Sequence, residues 1–85
     1  MICPICLQNE AHDTHHIFQG ARRKVSDKYK DICTVKLCRS CHRLIHDGKL
    51  DAFDLMLKQK AQKKFEEQYG HEMWMKEFRR NYRND

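Results

Sequence analysis

The sequence predicts a small α+β fold in which two short strands and a short helix are followed by two longer helices. Three observations support this prediction. Residues 13–18 and 33–37 alternate in polarity with a period of two, as half-buried strands do. His42 and His46 stand four residues apart, which places both side chains on one face of a helix. Beyond Gly48, apolar residues recur every four positions, as in amphipathic helices.

Four of the five cysteines form two motifs of identical spacing. Cys3 and Cys6 make the first Cys-x-x-Cys motif, and Cys38 and Cys41 make the second. Two such pairs separated in sequence are typical of a structural zinc site with four thiolate ligands. Disulfides or a redox pair are the alternatives. The odd number of cysteines disfavours disulfides, and the presence of two motifs disfavours a redox pair, because redox motifs usually come singly.

Adjacent histidines in the first predicted strand suit two different tasks. His15 and His16 should point to opposite sides of a regular strand. One of them can therefore complete a metal cage with His42 and His46, while the other remains available as a general base. A local twist or bulge that bends both histidines toward one cleft is the alternative.

A basic loop, residues 19–30, directly follows this strand. Its cations are Arg22, Arg23, Lys24, Lys28 and Lys30, opposed by the single acid Asp27. Because the loop adjoins the histidines, we expect phosphate contacts from these five residues, and a merely solvated face is the alternative. The net charge of +5 also indicates a polyanionic partner, for which nucleic acid is the commonest choice.

The remaining elements are predicted to be helical. A short helix should run from about residue 39 to residue 47, with Gly48 as its left-handed stop. Asp51 is expected to cap a long helix that ends at Gly70. The core-facing stripe of this helix comprises Phe53, Leu57, Ala61, Phe65 and Tyr69, and a final helix from about residue 72 carries Trp74, Phe78 and Tyr82.

These motifs together resemble the HNH, or ββα-metal, endonucleases. The residues that carry the resemblance are His15, His16, Ile17 and Phe18, then Leu37, Cys38, Cys41, His42 and His46. Further stretches, at residues 20–29, 65–70 and 80–82, are similar to small phage-borne HNH proteins related to the Ref recombination nuclease. Cys33 stands where the family has its middle Asn. The resemblance implies that this Asn acts both through its side chain and through its backbone carbonyl, which orients the base. A cysteine can supply only the carbonyl.

The resemblance implies a metal-dependent HNH endonuclease that hydrolyses DNA phosphodiester bonds, by nicking or by double-strand cleavage. The expected fold class is α+β, a small zinc-stapled ββα-metal (HNH) unit followed by two C-terminal helices. Residues 1–85 would form a single nuclease domain, with the zinc knuckle and ββα-metal core in 1–48 and a helical part in 49–85.

The expected site has two metals and one base. His15, His42 and His46 would hold one catalytic divalent ion, which could be Mg²⁺, Mn²⁺, Ni²⁺, Co²⁺ or Zn²⁺. His16 would take a proton from the attacking water. The four paired cysteines, Cys3, Cys6, Cys38 and Cys41, would hold structural Zn²⁺, and no other cofactor is expected.

Two functions from other classes compete with this interpretation. A non-catalytic zinc-stapled DNA-binding module is the first, and it leaves His16 without a role. A protein-interaction zinc finger is the second, and the basic charge argues against it. DNA is the expected partner, with a recombination or phage-processing protein as a further candidate. No apolar run reaches the roughly 18–20 residues of a membrane span, so we expect a cytoplasmic protein of a bacterium or of a phage in its host cell.

Overall fold

The protein is an α+β fold with a two-stranded sheet, seen in a computed structural model that describes residues 1–18 and 23–83. The elements follow in the order β1 (Asp13–His16), α1 (Arg23–Lys28), α2 (Lys30–Cys33), β2 (Thr34–Leu37), α3 (Arg39–His46), α4 (Asp51–Tyr69) and α5 (His71–Phe78). The α+β class is therefore confirmed. Within the described ranges, no helix has both the length and the apolar character that crossing a bilayer requires.

The sheet joins β1 to β2 in antiparallel register, with His15 opposite Val35. One further hydrogen bond extends the pairing, because the amide of Ile17 donates to the carbonyl of Cys33 at 3.0 Å. Both strands lie close to where the sequence predicts them, but β1 ends two residues earlier and β2 begins one residue later, because Cys33 is the last residue of α2. Ile17 and Phe18, just after β1, are consecutive and both buried, which breaks the alternation of a half-buried strand.

The larger core lies where the end of β1 meets α2, α4 and α5. Its biggest buried side chains are Phe18, Phe65, Trp74 and Phe78. Trp74 and Phe78 stack with ring centroids 3.9 Å apart. Burying an apolar side chain of this size contributes about 2–3 kcal/mol, so these rings contribute substantially to the stability of a short chain. The predicted stripe of α4 is buried at Leu57, Ala61 and Phe65, whereas Tyr69 at its end is 50% exposed.

The helix ends agree with the sequence at one position and differ at another. Gly48 adopts a left-handed φ of 73° just after α3, as predicted. Asp51 does not cap α4, because it is the first helical residue, and Leu50 precedes it without a side-chain cap. Asp51 instead places a carboxylate in the first turn, where it interacts favourably with the positive end of the helix dipole.

The C-terminal segment (residues 79–83) is held against α4 and α5 by bonds from side chains to its backbone. Gln62, fully buried in α4, accepts a hydrogen bond from the amide of Tyr82 at 2.7 Å. The indole of Trp74 donates to the carbonyl of Arg80 at 2.8 Å. Since a buried polar group without a partner costs about 1–3 kcal/mol, Gln62 and the C-terminal segment stabilise each other.

Candidate metal sites

Two groups of potential metal ligands form within the described part of the chain. The cysteine cluster consists of Cys3, Cys6, Cys38 and Cys41, and the histidine cluster consists of His15, His42 and His46. In each cluster, the ligand atoms lie within 4.8 Å of one another. The structure thus brings together the same residues that sequence spacing groups.

The cysteine cluster joins an N-terminal loop to the start of α3. The loop is closed by an isolated antiparallel bridge between Ile2 and Glu10, and the amide of Cys3 donates to the carbonyl of Asn9 at 2.8 Å. At the other side, the sulfur of Cys38 caps α3. Backbone hydrogen bonds therefore position both pairs of cysteines independently of a metal.

The spacing of the sulfurs suits a tetrahedral ion. The Sγ atoms of Cys6 and Cys38 lie 3.8 Å apart. Zinc–sulfur bonds of about 2.3 Å at tetrahedral angles place ligand sulfurs about 3.8 Å apart. All of the clustered cysteines except the half-buried Cys6 are buried, so the site is closed. The cysteine cluster can hold a structural metal such as zinc.

The charges in the cysteine cluster also favour a cation. Burial raises the pKa of Cys3, but three backbone amides hydrogen-bond to its sulfur, and together with Cys38 they lower that pKa to about 6. Burial and the neighbouring sulfurs raise the pKa of Cys41 to about 12. Four neighbouring thiols cannot all ionise without a counter-charge, and a divalent ion would supply it.

The histidine cluster is built from one strand and one helix that pack together. β1 supplies His15, and α3 supplies His42 and His46 from successive turns. The Nε2 atoms of His42 and His46 lie 3.1 Å apart. Imidazole nitrogens at about 2.0–2.1 Å from a shared ion are separated by about 3.0–3.4 Å, so this spacing fits joint coordination.

His15 is the buried member of the histidine cluster, with an exposure of 2%. Among residues 1–18 and 23–83, neither of its ring nitrogens has a hydrogen-bond partner. Burial, and then the charges of His42 and His46, lower the pKa of His15 to about 4. The side chain is therefore neutral at physiological pH, which is the form that binds metals, and a metal ion would satisfy one of its two unpartnered nitrogens.

Asp13 orients the histidine cluster, a role that the sequence analysis missed. Its Oδ2 lies 3.3 Å from Nδ1 of His42 and 3.7 Å from Nε of Arg39. A carboxylate on one ring nitrogen fixes the ring and directs the other nitrogen, here Nε2, toward His46. The available signal was the Asp-x-His spacing in β1, because residues two apart in a strand share a face.

His16 lies one step from His15 on β1, opposite Thr34, and is half-buried. It is not a member of the histidine cluster. The two adjacent histidines therefore differ in surroundings, as expected for neighbours on opposite faces of a strand.

A cleft of about 360 Å³ opens beside the histidine cluster. His15 and His46 form part of its wall. Two cations, Lys58 and Arg80, one carboxylate, Asp54, and the phenol ring of Tyr82 also line the cleft. The histidine cluster thus has an open side.

The predicted basic loop is partly helical. Its described cations, Arg23, Lys24, Lys28 and Lys30, lie on α1 and at the start of α2, and all of them are exposed. Arg23 pairs with Asp27 at 3.3 Å, one helical turn away. Arg22 lies outside the described residues. Phosphate binding by these residues stays a prediction. None of the described cations of the loop lines the cleft, whose own cations, Lys58 and Arg80, lie in the C-terminal half of the chain.

No protein-family model, curated protein or solved structure matches the chain. The resemblance to HNH endonucleases therefore stays a prediction. The chemistry of the two clusters and of the cleft carries the functional conclusion.

Proposed function

We propose that this protein is a metal-dependent endonuclease of the HNH class that hydrolyses phosphodiester bonds of DNA. The observation that carries the proposal is the convergence of His15, His42 and His46, whose ligand atoms lie within 4.8 Å of one another. One of these imidazoles is buried, one is oriented by a carboxylate, and one is exposed beside a cleft. Such asymmetry favours a catalytic ion, which must keep a position open for substrate.

The residues of the histidine cluster have distinct parts in this proposal. His15, His42 and His46 hold one divalent ion, and such an ion, when bound, offsets the charge that develops on phosphate oxygens and stabilises the leaving alkoxide. Asp13 keeps Nε2 of His42 aimed at the shared position, and its negative charge makes that imidazole a stronger ligand. Cys3, Cys6, Cys38 and Cys41 hold a structural zinc that fixes the start of α3.

His16 is the general base of the proposed reaction. It accepts a proton from water at a ring nitrogen, which a histidine can do near neutral pH. Because His16 and His15 are adjacent on β1, base and ligand share one strand. The resemblance assigns the orientation of the base to the carbonyl of Cys33. This carbonyl accepts a hydrogen bond from the amide of Ile17 and so fixes the chain just after His16.

DNA is the proposed substrate because the chain is basic, with a net charge of +5, and because the family it resembles acts on DNA. Contacts to phosphates should dominate the affinity, which should fall steeply as salt rises. Sequence preference should be weak, since phosphate contacts carry no base information.

A plasmid-nicking assay tests the proposal directly. The parent protein is incubated with supercoiled plasmid and Mg²⁺, Mn²⁺, Ni²⁺ or Co²⁺, beside the variants His16→Ala and His42→Ala. We expect His16→Ala to keep its metals and its DNA affinity but to cut about 10²–10⁴-fold more slowly. His42→Ala should lose the ion of the histidine cluster, so that excess metal partly restores cleavage. His12→Ala, at an exposed position outside both clusters, is the matched control and should cut like the parent.

Other outcomes would contradict the assignment in different ways. A parent protein that shifts the mobility of DNA without nicking it in any metal would be the non-catalytic zinc-stapled DNA-binding module. A His16→Ala protein that loses a metal ion would show that the ligand and the base must be exchanged between His15 and His16. Cleavage by His16→Ala at the parent rate would remove His16 from the mechanism.

A further inference from the structure

The cleft beside the histidine cluster contains two cations with no part in either metal cluster. Arg80 and Lys58 line this cleft together with Tyr82. The guanidinium carbon of Arg80 lies 5.1 Å from the centroid of the Tyr82 ring, and Nζ of Lys58 lies 5.7 Å from it. Both cations are therefore within the range of a cation–π contact with one ring, which restrains two otherwise flexible side chains.

The two cations differ in how far their charge is neutralised. Lys58 pairs with Asp54 at 3.1 Å, one turn away on α4. Within residues 1–18 and 23–83, Arg80 has no carboxylate at ion-pair distance. An arginine presents several donors in a planar fork, which matches two oxygens of one phosphate. Arg80 is thus a better candidate than Lys58 for an anion ligand.

The backbone that carries Arg80 is fixed by tertiary contacts. Its carbonyl accepts from the indole of Trp74 at 2.8 Å. Two residues later, the amide and the carbonyl of Tyr82 bond the side chains of Gln62 and Gln59, at 2.7 Å and 3.0 Å. Irregular segments near a chain end usually fray unless they are tied down. Here the ties hold Arg80 and Tyr82 at the mouth of the cleft.

We propose that this cleft binds a phosphate of the nucleic-acid backbone, with Arg80 as its bidentate ligand and Lys58 as a supporting charge. The identity of the nucleic acid rests on the proposed function, but the anion site itself does not. His46 is exposed in the wall of the same cleft, so the bound phosphate lies beside the histidine cluster. Arg80 then fixes the strand relative to the reacting bond, in addition to the phosphate contacts expected from the basic loop.

The test compares two neighbouring arginines. Arg80→Gln removes the proposed ligand, and Arg79→Gln removes the same charge from an exposed residue that is not part of the cleft wall. Glutamine at position 80 keeps the carbonyl that Trp74 binds. Both changes are made in the His16→Ala background, with intactness of the DNA checked on gels. Binding of a fluorescein-labelled duplex of mixed sequence is followed by anisotropy over a range of KCl concentrations.

Arg80→Gln should weaken binding by about tenfold at low salt and reduce the slope of log K against log salt by about one, since one phosphate contact contributes about 0.9 to that slope. Arg79→Gln should change the slope by less than half as much. Arg80→Lys, which keeps the charge but not the planar fork, should keep the slope and lose part of the affinity. Equal effects of Arg80→Gln and Arg79→Gln, or an unchanged slope in Arg80→Gln, would overturn the proposal.

Failure of the nuclease proposal gives a different result. A parent protein that binds the duplex but never nicks plasmid would refute catalysis, and the difference between the two arginine variants would still decide whether the cleft binds phosphate. If the parent does cut, Arg80→Gln should raise KM for DNA more than it lowers kcat, with unchanged metal content. A loss of metal or of cooperative melting in Arg80→Gln would instead assign Arg80 a structural role and contradict the proposal.

Discussion

The cysteine cluster and the histidine cluster share helix α3 but differ in their access to solvent. Cys38 and Cys41 contribute at the first turn of α3, and His42 and His46 contribute from the turns that follow. All but one of the cysteines are buried, whereas His15 is the buried member of the histidine cluster and His46 is exposed. One helix can therefore serve a closed site and an open site, because adjacent residues such as 41 and 42 point about 100° apart.

The two clusters also differ in what orients their ligands. Backbone amides hold the sulfurs, as in the bond from the amide of Cys41 to the sulfur of Cys38 at 3.4 Å. A side-chain carboxylate, Asp13, holds His42. Backbone support is inseparable from the fold, whereas side-chain support can be removed by one substitution. Loss of the cysteine cluster should therefore also unfold the protein, whereas the histidine cluster should lose its metal affinity without a change in the fold.

The largest expected effect is that of Cys38→Ser. Structural zinc contributes about 10 kcal/mol or more to the folding of small metal-binding domains, which is comparable to the whole stability of a typical domain. The variant should lose zinc and its cooperative thermal transition, as followed by circular dichroism and metal analysis. Cys33→Ala changes a buried cysteine outside the cluster and should keep both. A cooperative melt that Cys38→Ser leaves unchanged would exclude a stabilising metal at the cysteine cluster.

Removal of Asp13 should lower the metal affinity of the histidine cluster alone. Asp13→Ala deletes the partner of His42, and loss of such a partner lowers metal affinity by about 10–100-fold. Calorimetric titration with Ni²⁺ measures the change, with zinc retained in the cysteine cluster. Asp27→Ala is the control, since Asp27 also pairs with an arginine but lies on α1, outside both clusters. Equal Ni²⁺ affinities in the two variants would show that Asp13 has no orienting role.

Zinc affinity of the cysteine cluster should depend on pH, because its thiols must release protons when the metal binds. Zinc uptake must displace the proton of Cys41, whose pKa is raised to about 12, so zinc affinity should rise about tenfold per pH unit for each such proton. His15, whose pKa is lowered to about 4, carries no proton to displace at neutral pH. Chelator competition at two pH values one unit apart checks the first statement. A zinc affinity that does not change with pH would contradict it.

The smallest expected effect concerns the loop that carries the first two cysteines. Leu7 has a left-handed φ of 58° and is 73% exposed. That conformation costs a residue with a β-carbon about 1–2 kcal/mol, whereas glycine adopts it freely but loses more entropy on folding. Leu7→Gly should therefore stabilise the protein by at most about 1 kcal/mol in denaturant unfolding. Leu7→Ala shortens the side chain without relieving the strain, and a gain of equal size in that control would refute this explanation.

Short-range patterns in the sequence predicted most of the framework. Alternation located the strands, and fixed motif spacing located α3, the two cysteine pairs and the histidine pair of α3, because each pattern depends on residues close together in the chain. α1, inside the basic loop, and α2, which begins at the end of that loop, were missed, since a charged run has no apolar period. α2 has only four residues, and its Ile32 and Cys33 are buried in the main core, so packing rather than propensity stabilises it.

Contacts between distant residues were beyond reach from the sequence. Gln62 is polar but fully buried, and its bonds to the C-terminal segment and to Glu66 satisfy its amide. The pairing of Asp13 with His42 spans the sheet and α3. Arg80 reaches the cleft because Trp74 and Gln62 anchor its segment, and no local pattern encodes such an arrangement. Asp13 and Arg80 thus belong to the surroundings of the histidine cluster, although the sequence motifs do not include them.

Phe18 makes the N-terminal half dependent on the C-terminal half. It follows β1 directly and contacts the rings of Trp74, Phe78 and Tyr82, with centroids 5.6 Å, 5.0 Å and 5.6 Å away. A fragment ending at residue 48 would expose this side chain to water and release the strand that carries both adjacent histidines. Transfer of the two clusters to another scaffold would therefore also require Trp74 and Phe78 of α5 and Tyr82 of the C-terminal segment.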